Sequence, residues 1–249
     1  MDKAVILNAG EGKRLRPLTS AKPKCLLKLN SLTILEHQLS NLIECGIGEV
    51  ILVIGYRADR IIRKIQSLNF ELDVEFIYNP VYYKTNTVYS LWLAREHIKD
   101  EFVYLNGDVV FHKEVLERLL KSHYDTCIAV EKKQVSEEEV KVRLDSNLVK
   151  AIGKNIELSE AHGEFIGIAK FSKRFNQLFI NKLNDVVKEG KVNEFFEVAL
   201  DRALKTYDVY AVDVSDLPCI EVDTFEDFNV AKKIYLEITK ENEKRDENG

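Results

Sequence analysis

A glycine-bearing loop rich in cations follows the first apolar segment of the chain. Ala4–Leu7 has the pattern of a short buried strand, and Gly10 and Gly12 come directly after it. A glycine there lets backbone N–H groups approach phosphate oxygens closely, where a side chain would intrude. Five cations stand within twelve residues of this loop: Lys13, Arg14, Arg16, Lys22 and Lys24. Arginine supplies a forked donor and lysine a mobile charge, so the loop predicts a polyphosphate site, with a solvated surface turn as the alternative.

Two well-known phosphate-binding motifs do not match this loop. The P-loop pattern G-x-x-x-x-G-K-[ST] does not occur in it. The dinucleotide fingerprint needs a third glycine three residues after Gly12, where Leu15 stands. The loop therefore calls for a different explanation.

Two aspartates follow apolar segments later in the chain. Asp108 comes after Phe102–Leu105, and Asp223 comes after Ile220–Val222 and before a helix that begins near Phe225. A carboxylate at the carboxyl end of a parallel strand points into the crevice where such sheets bind ligands. Mg²⁺ takes one or two protein carboxylates together with substrate phosphates, so both aspartates are candidate magnesium ligands. The alternatives are a turn residue for Asp108 and a helix cap for each.

The elements that would position these residues alternate along the first half of the chain. Apolar runs predict strands at Ala4–Leu7, Val50–Ile54, Val74–Tyr78, Phe102–Leu105 and Thr126–Val130. Segments with helical spacing lie between them, at Leu32–Cys45, Ala58–Leu68, Thr87–Ile98 and Lys113–Ser122. This pattern predicts an α/β fold, a Rossmann-like mostly parallel sheet with helices on both faces.

The pattern changes after Glu131. Alternating residues from Val140 to Leu144, a turn at Asp145-Ser146-Asn147 and the run Leu148–Ile152 predict a small β-hairpin insertion that walls a pocket. Further strands are predicted at Phe165–Phe171, Tyr207–Val214 and Ile220–Val222, and helices at Arg174–Lys188, Glu194–Lys205 and Phe225–Glu237. We expect one domain over residues 1–239 and a charged tail over residues 240–249.

Composition excludes several classes of protein. The 249 residues carry a net charge of −5 and are 45% hydrophobic, which argues for a folded core and against a dedicated nucleic-acid binder. Apolar runs stay below the roughly 18 residues that cross a bilayer, and the N-terminal run is too short for a signal peptide. We therefore expect a cytoplasmic protein with no membrane partner. The scattered cysteines and histidines predict reduced thiols and no zinc site.

The longer pattern of the first loop resembles a known family. G-x-G-x-R-L-x-P-L-T followed by P-K-x-L-L is similar to the signature of nucleotidyltransferases that join an NTP to a sugar phosphate or a phospho-alcohol. The resemblance covers most of the chain, to about Lys233, and implies the nucleotide-diphospho-sugar transferase type of fold. It implies that Arg14 binds the β- and γ-phosphates, that Lys24 bridges phosphates at the reacting centre, and that Asp108 and Asp223 hold Mg²⁺. The loop residues that it places around the nucleotide are Leu7, Ala9, Gly10, Glu11 and Gly12.

A second segment bears on the nucleobase. The run N-T-V-Y-S-L beginning at Asn86 resembles the N-N-x-Y-S-L segment of phospho-alcohol cytidylyltransferases, such as those acting on choline phosphate. The resemblance favours CTP and makes Asn79, Asn86 and Thr87 candidate substrate-binding residues. A helix cap alone is the other interpretation of Asn86.

The acceptor side is predicted from residues that follow the hairpin. The resemblance implies that Lys154 meets the acceptor phosphate and that Glu164 meets its polar groups, whereas a solvated lysine and a strand-edge glutamate are the alternatives. We expect Phe195 and Phe196 to pack in the core, as does Trp92, which argues against an aromatic cage for a quaternary ammonium group.

The resulting hypothesis is a Mg²⁺-dependent cytidylyltransferase that transfers CMP from CTP to a small phosphorylated alcohol or sugar phosphate and releases pyrophosphate. Three alternatives stay open: a sugar-1-phosphate uridylyl-, thymidylyl- or guanylyltransferase, a nucleotide-binding module without turnover, and a molybdenum-cofactor-type nucleotidyltransferase. The family resemblance also makes a homodimer a reasonable expectation.

Overall fold

The computed structural model describes the backbone of residues 1–246 and the side chains of residues 1–240. The strands in this part are β1 (Lys3–Asn8), β2 (Glu49–Ile54), β3 (Asp73–Tyr78), β4 (Phe102–Asn106), β5 (Val109–Phe111), β6 (Cys127–Glu131), β7 (Lys141–Asp145), β8 (Leu148–Gly153), β9 (Gly163–Phe171), β10 (Tyr210–Asp213) and β11 (Cys219–Glu221). The α-helices are α1 (Ile34–Glu44), α2 (Ala58–Gln66), α3 (Thr87–Leu93), α4 (Lys113–Lys121), α5 (Lys173–Lys188), α6 (Glu197–Ala203) and α7 (Phe225–Asp246).

Nine strands form the main sheet, in the order β3-β2-β1-β4-β9-β6-β10-β8-β7. Strands β1 to β4 run parallel to one another, and β10 runs parallel to β6. Strand β9 is antiparallel to both β4 and β6, so it interrupts the parallel arrangement in the middle of the sheet. The predicted α/β fold is confirmed, but the sheet is mixed and not mostly parallel, because four of its strand pairings are parallel and five are antiparallel.

Alternate residues of the central strand face two separate cores. Val5 and Leu7 pack in a core with apolar residues of α3, α5 and α6. Ala4 and Ile6 pack on the other face with apolar residues of α1, α2 and α4. Because successive strand side chains point to opposite faces, a strand covered on both sides is apolar throughout, which is why Ala4–Leu7 has no polar residue.

Helix α1 holds the tip of β4 in place. The helix begins with a capping box, in which the Glu36 backbone N–H donates to the Thr33 hydroxyl and the Thr33 N–H donates to the Glu36 carboxylate. Farther along, the buried Gln38 amide donates to the backbone carbonyls of Asn106 (2.8 Å) and Val109 (2.9 Å). These two bonds bracket the turn that carries Asp108, so its position is tied to a helix rather than left to a free loop.

A short sheet outside the main one was not predicted. Strand β5 pairs antiparallel with β11 in a separate two-stranded sheet. Asp223 therefore follows a strand of this small sheet and not a parallel strand of the main sheet. Three-residue strands are too short to show an alternation pattern in the sequence, which explains why β5 was missed.

The predicted hairpin is formed by β7 and β8, which pair antiparallel with each other. It extends the edge of the main sheet, because β8 also pairs with β10 and β7 with β9. Whether it is an insertion stays a prediction.

Several helix bounds differ from those predicted. Helix α3 ends at Leu93 and α6 begins at Glu197, so both are shorter than expected. Helix α7 runs to Asp246 and not to Glu237, because Glu and Lys are good helix formers even without an apolar face. The tail predicted over residues 240–249 is therefore helical as far as Asp246, and residues 247–249 lie outside the described residues. The domain boundary at residue 239 stays a prediction.

The four cysteines are free thiols. Among the described helices there is none of the length and apolarity that a membrane span requires.

Candidate active site

The loop after β1 is shaped by its two glycines in different ways. Gly12 has a φ of 60°, in the left-handed region that favours glycine, and its carbonyl accepts a 2.8 Å hydrogen bond from the Thr19 hydroxyl. Gly10 has no such requirement, but a Cβ atom added to it would have nothing within 4 Å. That open space belongs to a cavity, so the lack of a side chain at Gly10 keeps room for a ligand.

The cavity has a volume of about 780 Å³ and lies where β1 and β4 end. Ligands of open α/β sheets bind in this place, outside the carboxyl ends of the strands. Thirteen of the fourteen predicted site residues line it: Leu7, Ala9, Gly10, Glu11, Gly12, Arg14, Lys24, Asn86, Thr87, Asp108, Lys154, Glu164 and Asp223. The structure thus gathers residues from the whole length of the chain into one crevice, while their individual roles stay predictions.

Lys24 stands between the two predicted metal ligands. Its Nζ lies 2.5 Å from Asp108 Oδ2 and 3.0 Å from Asp223 Oδ1. Arg14 reaches the same group from the side, with Nη2 2.7 Å from Asp223 Oδ2. Two cations of the first loop and two carboxylates from distant parts of the chain therefore form one charged cluster.

The charges of this cluster support one another. Burial lowers the pKa of Lys24, but the carboxylates of Asp108 and Asp223 outweigh burial and raise the pKa above its ordinary value. Burial raises the pKa of Asp223, but Lys24 and Arg14 outweigh it and lower the pKa. Lys24 and Asp223 are therefore both charged at neutral pH, which is the state that phosphate and metal binding require.

The two aspartates fit a divalent cation. Asp108 Oδ1 is buried and has no hydrogen-bond partner among the described residues. The helix-cap alternative for Asp223 is wrong, because Thr224 and Asp227 cap α7 between them: the Asp227 N–H donates to the Thr224 hydroxyl, and the Thr224 N–H donates to the Asp227 carboxylate. The Asp223 carboxylate therefore pairs with Lys24 and Arg14 and not with the backbone of α7, and metal binding by both aspartates stays a prediction.

No group of three or more His, Cys, Asp or Glu side chains suited to a metal occurs within the described residues. A Mg²⁺ ion at Asp108 and Asp223 would therefore need further oxygen ligands from substrate phosphates and water, as is usual for magnesium.

The predicted nucleobase residues serve in part to build the loop before α3. Asn86 caps α3, with its side-chain oxygen accepting from the Thr87 N–H at 2.8 Å, and the Thr87 hydroxyl accepts from the Phe196 N–H at 2.8 Å. Both residues still line the cavity. Asn79 does not line it: the residue is 1% exposed, and its amide donates to Thr85 Oγ1 and Ser90 Oγ. The expectation that Asn79 contacts substrate is corrected, since its side chain positions the loop.

One residue of the acceptor side has an unexpected partner, and another is placed differently from expectation. Lys133 Nζ lies 2.7 Å from the Glu164 carboxylate, and a contact between Glu164 and the acceptor stays a prediction. Phe196 is fully buried as expected, but Phe195 is 38% exposed and lines the cavity, so its placement in the core was wrong. The Lys154 ammonium lies 4.8 Å from the centroid of the Phe195 ring, in a cation–π contact.

Sequence reasoning missed Lys133 and assigned no role to Glu197, and both residues line the cavity. No motif singles out either one. Glu197 follows two phenylalanines, and a run of this kind resembles the buried face of an ordinary helix.

Comparison with known proteins gives concordant results. The sequence model of the family described as nucleotidyl transferase matches residues 3–141. A choline-phosphate cytidylyltransferase of Streptococcus pneumoniae is 26% identical over 93% of this chain and 97% of that protein. A CTP:phosphoglutamine cytidylyltransferase of Campylobacter jejuni is 26% identical over 69% of this chain and 74% of that protein. Among solved structures, the inositol-1-phosphate CTP transferase from T. maritima has a TM-score of 0.77 at 20% identity, over 94% of this chain and 96% of that one.

Proposed function

The chain belongs to the nucleotidyl transferase family, and from this premise we propose that it transfers CMP from CTP to a small phosphorylated alcohol and releases pyrophosphate. The observation that carries the proposal is the position of Lys24 between Asp108 and Asp223, with Arg14 beside them, at the edge of an open cavity. A cluster of this composition suits a triphosphate with its metal.

The reaction needs little covalent chemistry from the protein. An acceptor phosphate oxygen attacks the α-phosphorus of CTP, the bond from the α-phosphorus to the bridging oxygen breaks, and pyrophosphate leaves with the bonding electrons. The attacking oxygen is already anionic near neutral pH, so no general base is required. The protein contributes mainly by holding the two phosphates in line and by neutralising charge.

Each charged residue then has a definite task. Arg14 and Lys24 neutralise charge that develops on the leaving pyrophosphate, and the backbone at Gly10 leaves space for the phosphates. Asp108 and Asp223 would hold Mg²⁺, which when bound neutralises phosphate charge as a Lewis acid. Lys154, which lines the same cavity, receives the phosphate of the acceptor.

The choice of CTP depends on the segment at Asn86 and on the relatives. The C. jejuni relative is named as a CTP-using enzyme and the S. pneumoniae relative as a cytidylyltransferase, and both act on phosphorylated compounds that are not sugars. Asn86 and Thr87 stand at the cavity wall, where they are candidates for contact with the cytosine.

The test is a pyrophosphate-release assay of the purified protein with Mg²⁺, using CTP, UTP, dTTP, GTP and ATP in turn. Each nucleotide is combined with choline phosphate, 2-aminoethyl phosphate, 2-hydroxyethyl phosphate and glucose 1-phosphate. We expect release that depends on CTP and on an alcohol phosphate. Release only with glucose 1-phosphate and UTP, dTTP or GTP would refute the proposal in favour of a sugar-nucleotide enzyme. No release with any pair would refute turnover.

A further inference from the structure

Glu197 is a carboxyl group in the cavity that the proposed transfer does not use. It lines the cavity, yet the residue is only 3% exposed. Its Oε2 atom is buried and has no hydrogen-bond partner among the described residues. A buried carboxylate oxygen without a partner is costly, so such an atom in a binding cavity points to a ligand that supplies the missing donor.

The neighbours of Glu197 do not supply that donor. The Tyr104 hydroxyl is already committed, since it donates to Asn106 Oδ1 at 2.5 Å. Burial raises the pKa of Glu197 to about 7, although a hydrogen bond from its own backbone N–H and the charge of the Lys154 ammonium oppose this rise. Among the described residues, Lys154 makes a cation–π contact with Phe195 and forms no ion pair with Glu197.

The positive charge of Lys154 also acts on a second carboxylate. Its charge lowers the pKa of Asp223 as well as that of Glu197, so it acts on both carboxylates. When an acceptor phosphate occupies Lys154, the cation that opposes the burial of Glu197 becomes the partner of a dianion. Glu197 then needs a new positive charge.

A comparison with Glu164 shows that Glu197 is the acidic side chain that lacks a close cation of its own. Glu164 lines the same cavity but has its own cation, Lys133, at 2.7 Å. The chain therefore compensates one acidic side chain of the acceptor region internally and leaves the other open.

We propose that Glu197 binds a primary ammonium group of the acceptor, so that the preferred acceptor is a short amino-alkyl phosphate whose phosphate lies at Lys154 and whose ammonium lies at Glu197. This inference rests on the proposed function and specifies the substrate class of the same site. A primary ammonium brings both a positive charge and N–H donors, and a charge-assisted hydrogen bond is about twice as strong as a neutral one.

Two other end groups fit less well. A hydroxyl group supplies a donor but no charge. A quaternary ammonium supplies charge but no N–H, and it is best recognised by free aromatic faces. The cavity-lining aromatic residues are Tyr82, Tyr83 and Phe195, and Lys154 already lies over the ring of Phe195. The ring of Tyr82 forms edge contacts with Tyr56 and Tyr83.

The experiment uses three acceptors with one skeleton and different end groups: 2-aminoethyl phosphate, 2-hydroxyethyl phosphate and choline phosphate. Pyrophosphate release with CTP gives kcat/KM for each acceptor, and calorimetry measures binding of 2-aminoethyl phosphate to the protein without nucleotide. The variants are Glu197→Gln and, as a matched loss of charge outside the cavity, Glu160→Gln, whose carboxylate is exposed and pairs with Arg143. Thermal melting checks that both variants fold.

We expect the wild type to prefer the amine over the alcohol by at least about tenfold in kcat/KM. Glu197→Gln should lower kcat/KM for the amine about ten- to a hundredfold, with the values for the alcohol and the KM for CTP unchanged, and Glu160→Gln should change neither. A uniform loss over the three acceptors would show a merely structural role and overturn the inference.

The wild type alone already decides part of the question. Turnover of the alcohol or of choline phosphate in preference to the amine would overturn the inference and leave the proposed transfer intact. Binding of 2-aminoethyl phosphate that Glu197→Gln abolishes, without pyrophosphate release from any pair, would leave the inference standing and refute the proposed transfer.

Discussion

Replacing Lys24 with methionine removes the charge that holds Asp108 and Asp223 together. The side chain of Lys24 is 16% exposed, and those of Asp108 and Asp223 are 24% and 34% exposed. Breaking a fully buried ion pair costs about 3–5 kcal/mol, and solvent screening of these half-buried carboxylates reduces the cost to about 2–3 kcal/mol. For a chain of this length, that lowers the Tm by roughly 4–12 °C.

The proposed metal site gives this prediction a second part. Without the lysine, the two carboxylates repel each other, and Mg²⁺ should relieve the repulsion. We therefore expect Mg²⁺ to raise the Tm of Lys24→Met more than it raises the Tm of the wild type. Pyrophosphate release should fall at least about a hundredfold even at saturating Mg²⁺, because a charge that stabilises the transition state is lost.

The measurements are thermal melts in EDTA and in Mg²⁺, and turnover with CTP. Lys22→Met is the matched control, because Lys22 is an exposed lysine of the same loop that does not line the cavity. The reasoning fails if Lys24→Met melts like the wild type in EDTA, or if Mg²⁺ stabilises it no more than the wild type. Turnover at the wild-type rate would remove Lys24 from the catalytic machinery.

Two further predictions separate the site from the fold. Gly10→Ala should leave the Tm within about 1 °C of the wild type, because the added Cβ meets no protein atom. The same substitution should raise the KM for CTP, and an unchanged KM would mean that the phosphates bind elsewhere. Burial of His37 lowers its pKa from 6.5 to about 4. Between these two pH values the unfolded chain binds a proton that the folded chain does not, so the free energy of unfolding decreases as the pH falls. The decrease from pH 6.5 to pH 4 is about 3 kcal/mol. Urea unfolding at pH 7 and pH 5 checks this. The difference in free energy of unfolding between wild type and His37→Gln should be about 2 kcal/mol smaller at pH 5 than at pH 7. An equal difference at both pH values would contradict the buried, uncharged state of His37.

The parallel half of the fold was readable from sequence because its strands are covered on both faces. Each of β1, β2 and β4 is a continuous apolar run, and the helices between them have clear spacing. The short pair β5 and β11 was not readable as a unit, since its partners are far apart in sequence and each is three residues long. Pairing of that kind is a property of the whole fold.

The site was predictable where a motif fixes both residue type and spacing. Three of the five cations in the loop from Gly10 to Lys24 line the crevice, namely Lys13, Arg14 and Lys24, because the chain folds locally there. The acceptor side was harder to predict, because the role of a carboxylate depends on which groups lie against it in the fold. The sequence does not show those neighbours. Glu164 and Glu197 have the same side chain, but only the structure shows that Lys133 lies against the first and that the second has an open oxygen.

The small sheet of β5 and β11 bears on when the two aspartates come together during synthesis of the chain. The Val222 N–H donates to the Asp108 carbonyl at 3.1 Å, so the two aspartates are held one hydrogen bond apart although more than a hundred residues are translated between them. During synthesis, the loop cations and Asp108 leave the ribosome long before Asp223 arrives. A nascent chain therefore completes the pair of aspartates only after its parallel half has been synthesised.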